Sequence, residues 1–407
     1  MNKLALAIAL SCAALWSQTV QQENAVVKWN QTLLALVRTP GVQPATIHPT
    51  RSFAVMHAAI YDAVNSIDGT HQPYKVRVPV TTAGASQEAA ADAAAYNVLI
   101  ALYPASEPGL ETIYRQAIAM IGNGAAKDEG ISVGEAAANE ILNLRAADNS
   151  ADPPPSITLG TAPGDYQSTP PNFPKPAFTG WSKVTPFVLT AANQFRPAPP
   201  PSLTSPTYTD AFNEVRSLGI RRSIAASADQ QLTGWFWNGP IQNYWNEIAQ
   251  QAAVAKQLTI PQTARLFALL NFSIADSVIA FYDAKYIYRF WRPITAIRAS
   301  ADAGWLPETK TTAADPSYPG AHAAISSAGA AILKTFFGSD DFDLHVTSEV
   351  FAGVQRNFHS FSDAAEEATL SRIFSGQHFR FDLTAGQQLG AGVAEFTAGN
   401  ALLPVVR

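Results

Sequence analysis

A single cysteine, Cys12, stands in a chain of 407 residues. One thiol cannot form an internal disulfide, so the fold must rest on its core, which this length permits. Methionine is almost as scarce, with only Met1, Met56 and Met120. Thiols and thioethers are the side chains that strong oxidants attack first, and a chain poor in both suits work among oxidants. Charge is sparse at 14% of residues, and the net charge of −5 argues against nucleic acid as a general partner. No run of like charge forms an interaction tail. No HExxH, GxSxG or Walker pattern occurs, so zinc peptidase, serine hydrolase and nucleoside triphosphatase readings have no support. Long β-branched alternation is missing too. Against these absences, apolar residues make up 47% of the chain and alanine dominates. That composition favours helices over sheets.

The first residues read as a secretory signal over 1–17. Lys3 supplies the positive start, Leu4 to Ala14 the short apolar stretch, and a cut near Ser17 fits. The stretch is too short to span a bilayer, and Leu10 and Ser11 make a poor lipoprotein box before Cys12. A secreted or periplasmic protein is therefore expected, with no thiol left after cleavage.

Residues 18–150 read as an N-terminal helical bundle. Asn24 to Arg38, Pro49 to Ile67 and Ser86 to Tyr103 carry helical patterning, and short loops imply antiparallel neighbours. Between residues 151 and 206 the texture changes, because half of the 28 prolines lie there. Such density forbids regular helix and sheet ladders. Tyr166, Phe173, Phe178, Trp181, Phe187 and Phe195 are interleaved with the prolines. A solvated linker rarely carries so many aromatics, so an ordered irregular strap over the bundle is expected. Residues 207–407 read as a C-terminal helical bundle. It includes a long apolar helix over Pro261 to Phe290 and another over His322 to Phe337. Asp363 and Glu366 have the form of a capping box.

Three short blocks in this half concentrate the chemistry. In KYIYRFWRP, Lys285 and Arg292 are seven residues apart, which on a helix is one face. Pro293 disfavours helical geometry at Arg292, so the helix should end there. In YPGAH, a turn of small residues opens a helix whose N–H groups can approach an anion, with His322 in the first turn. In SRIFSGQHFRFD, Arg372 and His378 flank Gly376, and Asp382 follows His378 by four. A carboxylate on one ring nitrogen fixes the histidine tautomer and leaves the other nitrogen as ligand or nucleophile. Taken singly, each block has a bland reading: snorkelling surface cations, a capping turn with an incidental histidine, a buried structural His–Asp pair. One lysine, two arginines and two histidines together suit a tetrahedral oxyanion such as phosphate or vanadate.

The three blocks share an order and spacing, K-x6-RP, then P-x-x-H, then S-R-x5-H-x3-D. In this they resemble the superfamily of vanadium haloperoxidases and type-2 phosphatidic acid phosphatases. The blocks cover only about 30 residues, but Ser52 to Ala63 and Trp181 to Leu189 also look like its secreted bacterial chloroperoxidase-type branch. The resemblance implies an all-α fold of two four-helix bundles joined by the proline-rich strap. It implies vanadate as cofactor, with His378 as its axial ligand, or as nucleophile towards phosphate in a phosphatase. Lys285, Arg292 and Arg372 would bind the equatorial oxygens. His322 would be the acid/base group, and Asp382 would orient His378. Lys285 would also polarise the activated oxidant. The implied activity is a vanadium-dependent haloperoxidase taking hydrogen peroxide, halide and a small organic substrate to hypohalous acid chemistry. The alternative is a secreted acid phosphatase working through a phosphohistidine.

One departure stands out. Relatives of this kind read PSGH where this chain has Gly320 and Ala321. The serine hydroxyl is lost, at a cost of about 1–3 kcal/mol if a charged acceptor stays unpaired. The Gly320 and Ala321 N–H groups are expected to donate in its place. Tyr282 and Asp315 flank the blocks as candidate supporting residues. His57, on an Ala-rich helix, reads as a packed structural histidine. His345 and His359 fit either surface or pocket.

Overall fold

The computed structural model describes residues 23–43 and 47–406, so the expected signal at 1–17 lies outside the described residues. The protein is mostly helical. Five helices precede the strap: α1 (Ala25–Arg38), α2 (His48–Asp68), α3 (Gln87–Leu102), α4 (Glu107–Ala119) and α5 (Ala125–Arg145). Eight follow it: α6 (Pro206–Leu218), α7 (Ala228–Phe236), α8 (Ile241–Ala255), α9 (Ile260–Tyr288), α10 (Pro293–Ser300), α11 (Ala321–Phe337), α12 (Phe361–Phe374) and α13 (Arg380–Asn400). Their starts follow capping chemistry. Asn24 accepts from the N–H groups of Val26 and Val27, and Ser86 from Ala89. Ser227 with Gln230 and Thr259 with Gln262 form reciprocal capping boxes.

An all-helical expectation needs one amendment. β1 (Asp341–Thr347) and β2 (Gln355–Ser360) pair antiparallel as a hairpin between α11 and α12. The hairpin also displaces the expected cap: Ser360, closing β2, accepts from the Asp363 N–H, so Asp363 is capped rather than capping.

α9 lies at the centre. Its apolar window is long enough to cross a membrane, yet 94% of that window is buried inside the protein. It packs on α2 from the first half and on α11 and α13 from the second. One hydrophobic core accordingly runs from Val26 and Phe53 through Phe267 and Phe272 to Val393. A smaller core gathers Tyr208, Phe290, Trp291, Trp305 and Phe379 behind the three motif blocks.

α11 and α13 pack through small residues. A Cβ placed on Gly386 would lie 2.3 Å from the Gly320 carbonyl oxygen, and one on Gly390 would lie 2.0 Å from that of Ala324. Only glycine permits this approach, which brings the start of α11 against the start of α13.

The proline-rich segment is ordered and nearly free of regular structure, with one 3₁₀ turn at Trp181–Lys183. Its anchor is Asp276 of α9. That buried carboxylate accepts the consecutive N–H groups of Phe187, Val188 and Leu189 at 2.7, 2.7 and 2.8 Å. Phe187 stacks on Phe272 with ring centroids 5.5 Å apart, and the Arg145 guanidinium lies over its other side.

Candidate active site

α9 stops at Tyr288 because Arg289 turns into the left-handed region, with φ at 48°. Arg292 is therefore not two turns along the Lys285 face. It is the N-cap residue of α10, and the intervening turn, rather than helical periodicity, brings the two cations together. Both are buried against Asp315, the residue flanking the second block. The Arg292 guanidinium is ion-paired to its carboxylate, and its Nε donates to the Asp315 carbonyl at 2.8 Å. Lys285 Nζ is 3.6 Å from the same carboxylate. Burial would raise the Asp315 pKa, but Lys285, Arg292 and the Tyr282 hydroxyl outweigh it and hold the group ionised.

His378 is placed by a break in the helix. α12 ends at Phe374, Gly376 takes φ 77°, and α13 begins only at Arg380. His378 and Asp382 consequently meet across the mouth of α13, not along one helical face as their spacing of four suggests. The Asp382 Oδ2 atom accepts from the Phe379 N–H at 2.9 Å, the Ser317 hydroxyl at 2.5 Å and His378 Nδ1 at 3.1 Å. A carboxylate can only accept from the ring, so Nδ1 carries the proton and Nε2 keeps its lone pair. Arg292 Nη1 donates to that Nε2 at 3.1 Å. Burial, then Arg292 and Lys285, hold the His378 pKa well below the usual imidazole value. Burial raises Asp382 to about 6, with Ser317 opposing.

His322 lies in the first turn of α11. Its Nε2–H donates to the Trp237 carbonyl at 3.0 Å, which leaves Nδ1 as the unprotonated nitrogen. Burial and Arg372 keep this ring neutral as well. Arg372 reaches in from the end of α12. Both of its terminal nitrogens donate to Asn238 Oδ1 at 3.3 Å, and its buried Nε has no partner. Burial lowers its pKa to about 9.

Arg292, Arg372, His322 and His378 converge on one cavity of about 260 Å³, whose remaining wall includes Phe281, Tyr282 and Ile325. Two expectations need correction here. Lys285 does not line this cavity: its ammonium is turned onto the carbonyls of Pro316 and Ser317, the latter at 3.2 Å. Unshielded by solvent, it is pushed down to about 8 by burial. The Gly320 N–H is not free for an anion either, since it donates to the Asp382 carbonyl at 2.8 Å. Ala321 does line the cavity and is the first residue of α11, a position whose N–H has no partner within the helix.

Asn238, Trp237 and Ser317 take part in the site but lie outside the expected set. Asn238-Gly239-Pro240 carries turn chemistry in the sequence, the one signal that marks that loop as special. Other histidines stand apart. His57 is buried on α2 with Nε2 2.9 Å from Asn30 Oδ1, and His345 and His359 are exposed on the hairpin.

The donor set can be tested against vanadate. Buried Arg292 and Arg372 line the cavity; the Asp315 carboxylate in its wall is paired to Arg292 and Lys285, and Arg372 has no carboxylate within ion-pair distance among the described residues. His378 Nε2 carries no proton, its lone pair accepting from Arg292 Nη1 at 3.1 Å, and His322 Nδ1 is unprotonated as well. No group of three or more His, Cys, Asp or Glu that could hold a metal cation occurs among the described residues. The residues fit a compact oxyanion with one open coordination position for nitrogen.

Comparison with known proteins agrees. The model of the second helical-bundle domain of the vanadium chloroperoxidases matches residues 265–403. The vanadium chloroperoxidase of Curvularia inaequalis is 24% identical over 298 residues, 54% of this chain and 49% of that protein. The match therefore spans about half the length of that relative. Among solved structures, the first bacterial vanadium-dependent iodoperoxidase superposes with a TM-score of 0.82 at 25% identity, covering 94% of this chain and 97% of that one. A holo-type bacterial vanadium-dependent chloroperoxidase gives 0.70 at 14% identity, over 93% and 97% of the two chains, a likeness of fold.

Proposed function

We propose that this chain, which belongs among the vanadium haloperoxidases, binds vanadate and oxidises halide with hydrogen peroxide to hypohalous acid. The observation that carries the reading is the cavity where the buried side chains of Arg292, Arg372 and His378 meet His322. When bound, vanadate would supply a Lewis-acidic centre that activates peroxide without changing its own redox state. His378 Nε2 would be its protein ligand. Arg292 and Arg372 would hold its oxygens, with the Ala321 N–H as a further donor.

The remaining roles belong to the chain. Asp382 keeps the proton on His378 Nδ1, and so keeps Nε2 available. Trp237 does the equivalent for His322, whose Nδ1 is the base that takes a proton from hydrogen peroxide. Lys285 braces Pro316 and Ser317 and adds positive charge from behind them. Phe281 and Ile325 give the cavity an apolar side against which a halide would sit. A small organic molecule is the final acceptor. Export to the periplasm or the medium belongs to the same reading, supported by the pattern of residues 1–17 and the lack of cysteine beyond Cys12.

The test uses the purified chain with and without orthovanadate. Oxidation of iodide, bromide and chloride by hydrogen peroxide is assayed beside hydrolysis of an aryl phosphate. Vanadate-dependent halide oxidation is the expected result. Phosphate release that vanadate inhibits, with no halide oxidised, would overturn it.

A further inference from the structure

We propose that Asn238 is a positioning residue that keeps the charge of Arg372 available to the bound oxyanion, because it holds the guanidinium through a neutral oxygen. The inference rests on the reading of the cavity as an oxyanion site.

The three motif cations are not equivalent. Arg292 and Lys285 share the single negative charge of Asp315. Arg372 is buried, 5% exposed, and its side-chain contact is the Asn238 amide oxygen, 3.3 Å from each terminal nitrogen. Its Nε is buried with no partner. Arg372 also lines the same cavity as Asn238 and His378. A buried cation with no carboxylate is costly until an anion arrives. Burial and the neighbouring Arg292 already act against the charged guanidinium. An oxyanion entering the cavity relieves both effects, so much of its affinity should come from this one unneutralised group.

Asparagine and aspartate have nearly the same shape. An aspartate at 238 would keep the orienting contact and strengthen it, since a carboxylate accepts from guanidinium more strongly than an amide does. It would also neutralise the charge meant for the ligand. Geometry and charge therefore predict opposite effects for the same substitution. The turn matters twice, because the adjoining Trp237 carbonyl fixes the tautomer of His322. A single loop between α7 and α8, outside all three motif blocks, thus sets both a cation and the acid/base group.

The experiment is calorimetric titration of orthovanadate, and in parallel of inorganic phosphate, into the full chain and its N238D and N238A variants. Thermal midpoints are measured alongside. N238D is expected to weaken both oxyanions by about tenfold or more, and N238A, which releases the guanidinium without neutralising it, by less, about threefold to fivefold, with both midpoints near the parental value. N238D binding as tightly as the parent would overturn the inference. So would N238A losing as much as N238D, because the role would then be geometric only. Should N238D fail to fold, N238A and N238S decide: serine, which again offers a neutral oxygen, binding closer to the parent than alanine supports the inference, and alanine binding as tightly as the parent sinks it. A parent that binds neither oxyanion would instead remove the haloperoxidase reading itself.

Discussion

His378 can serve as a ligand only while its proton stays on Nδ1, and Asp382 is the group that keeps it there. Asp382→Asn leaves the shape intact but offers an amide that can present either its oxygen or its nitrogen to the ring. Vanadate affinity should fall about 10- to 100-fold, the usual effect of removing such a partner. Equilibrium titration of the variant checks this, and unchanged affinity would mean that Ser317 or the backbone sets the tautomer. At this scale the sequence was informative wherever chemistry repeats in a short motif. Arg292, Arg372, His322, His378 and Asp382 all stand in the three blocks and all meet in the structure. Lys285 was legible as a cation near Arg292, but not in its aim: the direction of an ammonium on a flexible stem depends on which carbonyls surround it. Asn238 and the Trp237 carbonyl were not legible, because they act through a turn that no periodicity marks and that lies about 130 residues upstream of Arg372 and His378.

Between elements, the contact that sets the active site is the glycine-lined seam of α11 and α13. It fixes how far His322, at the start of one helix, stands from His378, just before the other. Gly390→Ala should be damaging, since even a methyl would sit 2.0 Å from the Ala324 carbonyl oxygen. We expect a loss of about 1–3 kcal/mol, typical of overpacking, together with weaker vanadate binding. Gly399→Ala on the same helix, with nothing within 4 Å, should be silent in both. Denaturant unfolding and titration of the pair would test it. An equal response from the two sites would mean the seam is not what matters. The helices themselves were largely legible, because Asn24, Ser86, Thr259 and the small residues after Pro319 announce their starts. The hairpin was missed although Phe342, Leu344 and Val346 alternate with polar residues. A run of seven is short, and strongly helical segments flank it on both sides.

For the whole molecule, buried carboxylates govern how stability responds to pH. Asp92 of α3 accepts the Trp29 indole N–H at 2.8 Å, and burial raises its pKa to about 7. The unfolded chain releases that proton near pH 3.8. The folded state therefore holds more protons between these values, and this group's contribution falls as pH rises through the interval. Asp92→Asn keeps an acceptor for Trp29 and has nothing to ionise. The variant should gain about 1–3 kcal/mol relative to the parent at pH 8, with the difference shrinking towards pH 5. Melting curves at the two pH values decide it, and a constant difference would rule out ionisation as the cause.

The strap is tied to the same core from both directions, to α5 through Arg145 and to α9 through Asp276. The helices before and after it meet in one continuous core at α2 and α9. Covalent continuity along the strap is therefore not what joins the two ends of the chain. Asn172 and Phe173 are exposed on it, away from these anchors. A protease that cuts there would give two bands on a denaturing gel and a single particle in solution, still catalytically competent. The active-site half would then be working with a partner to which no peptide bond connects it.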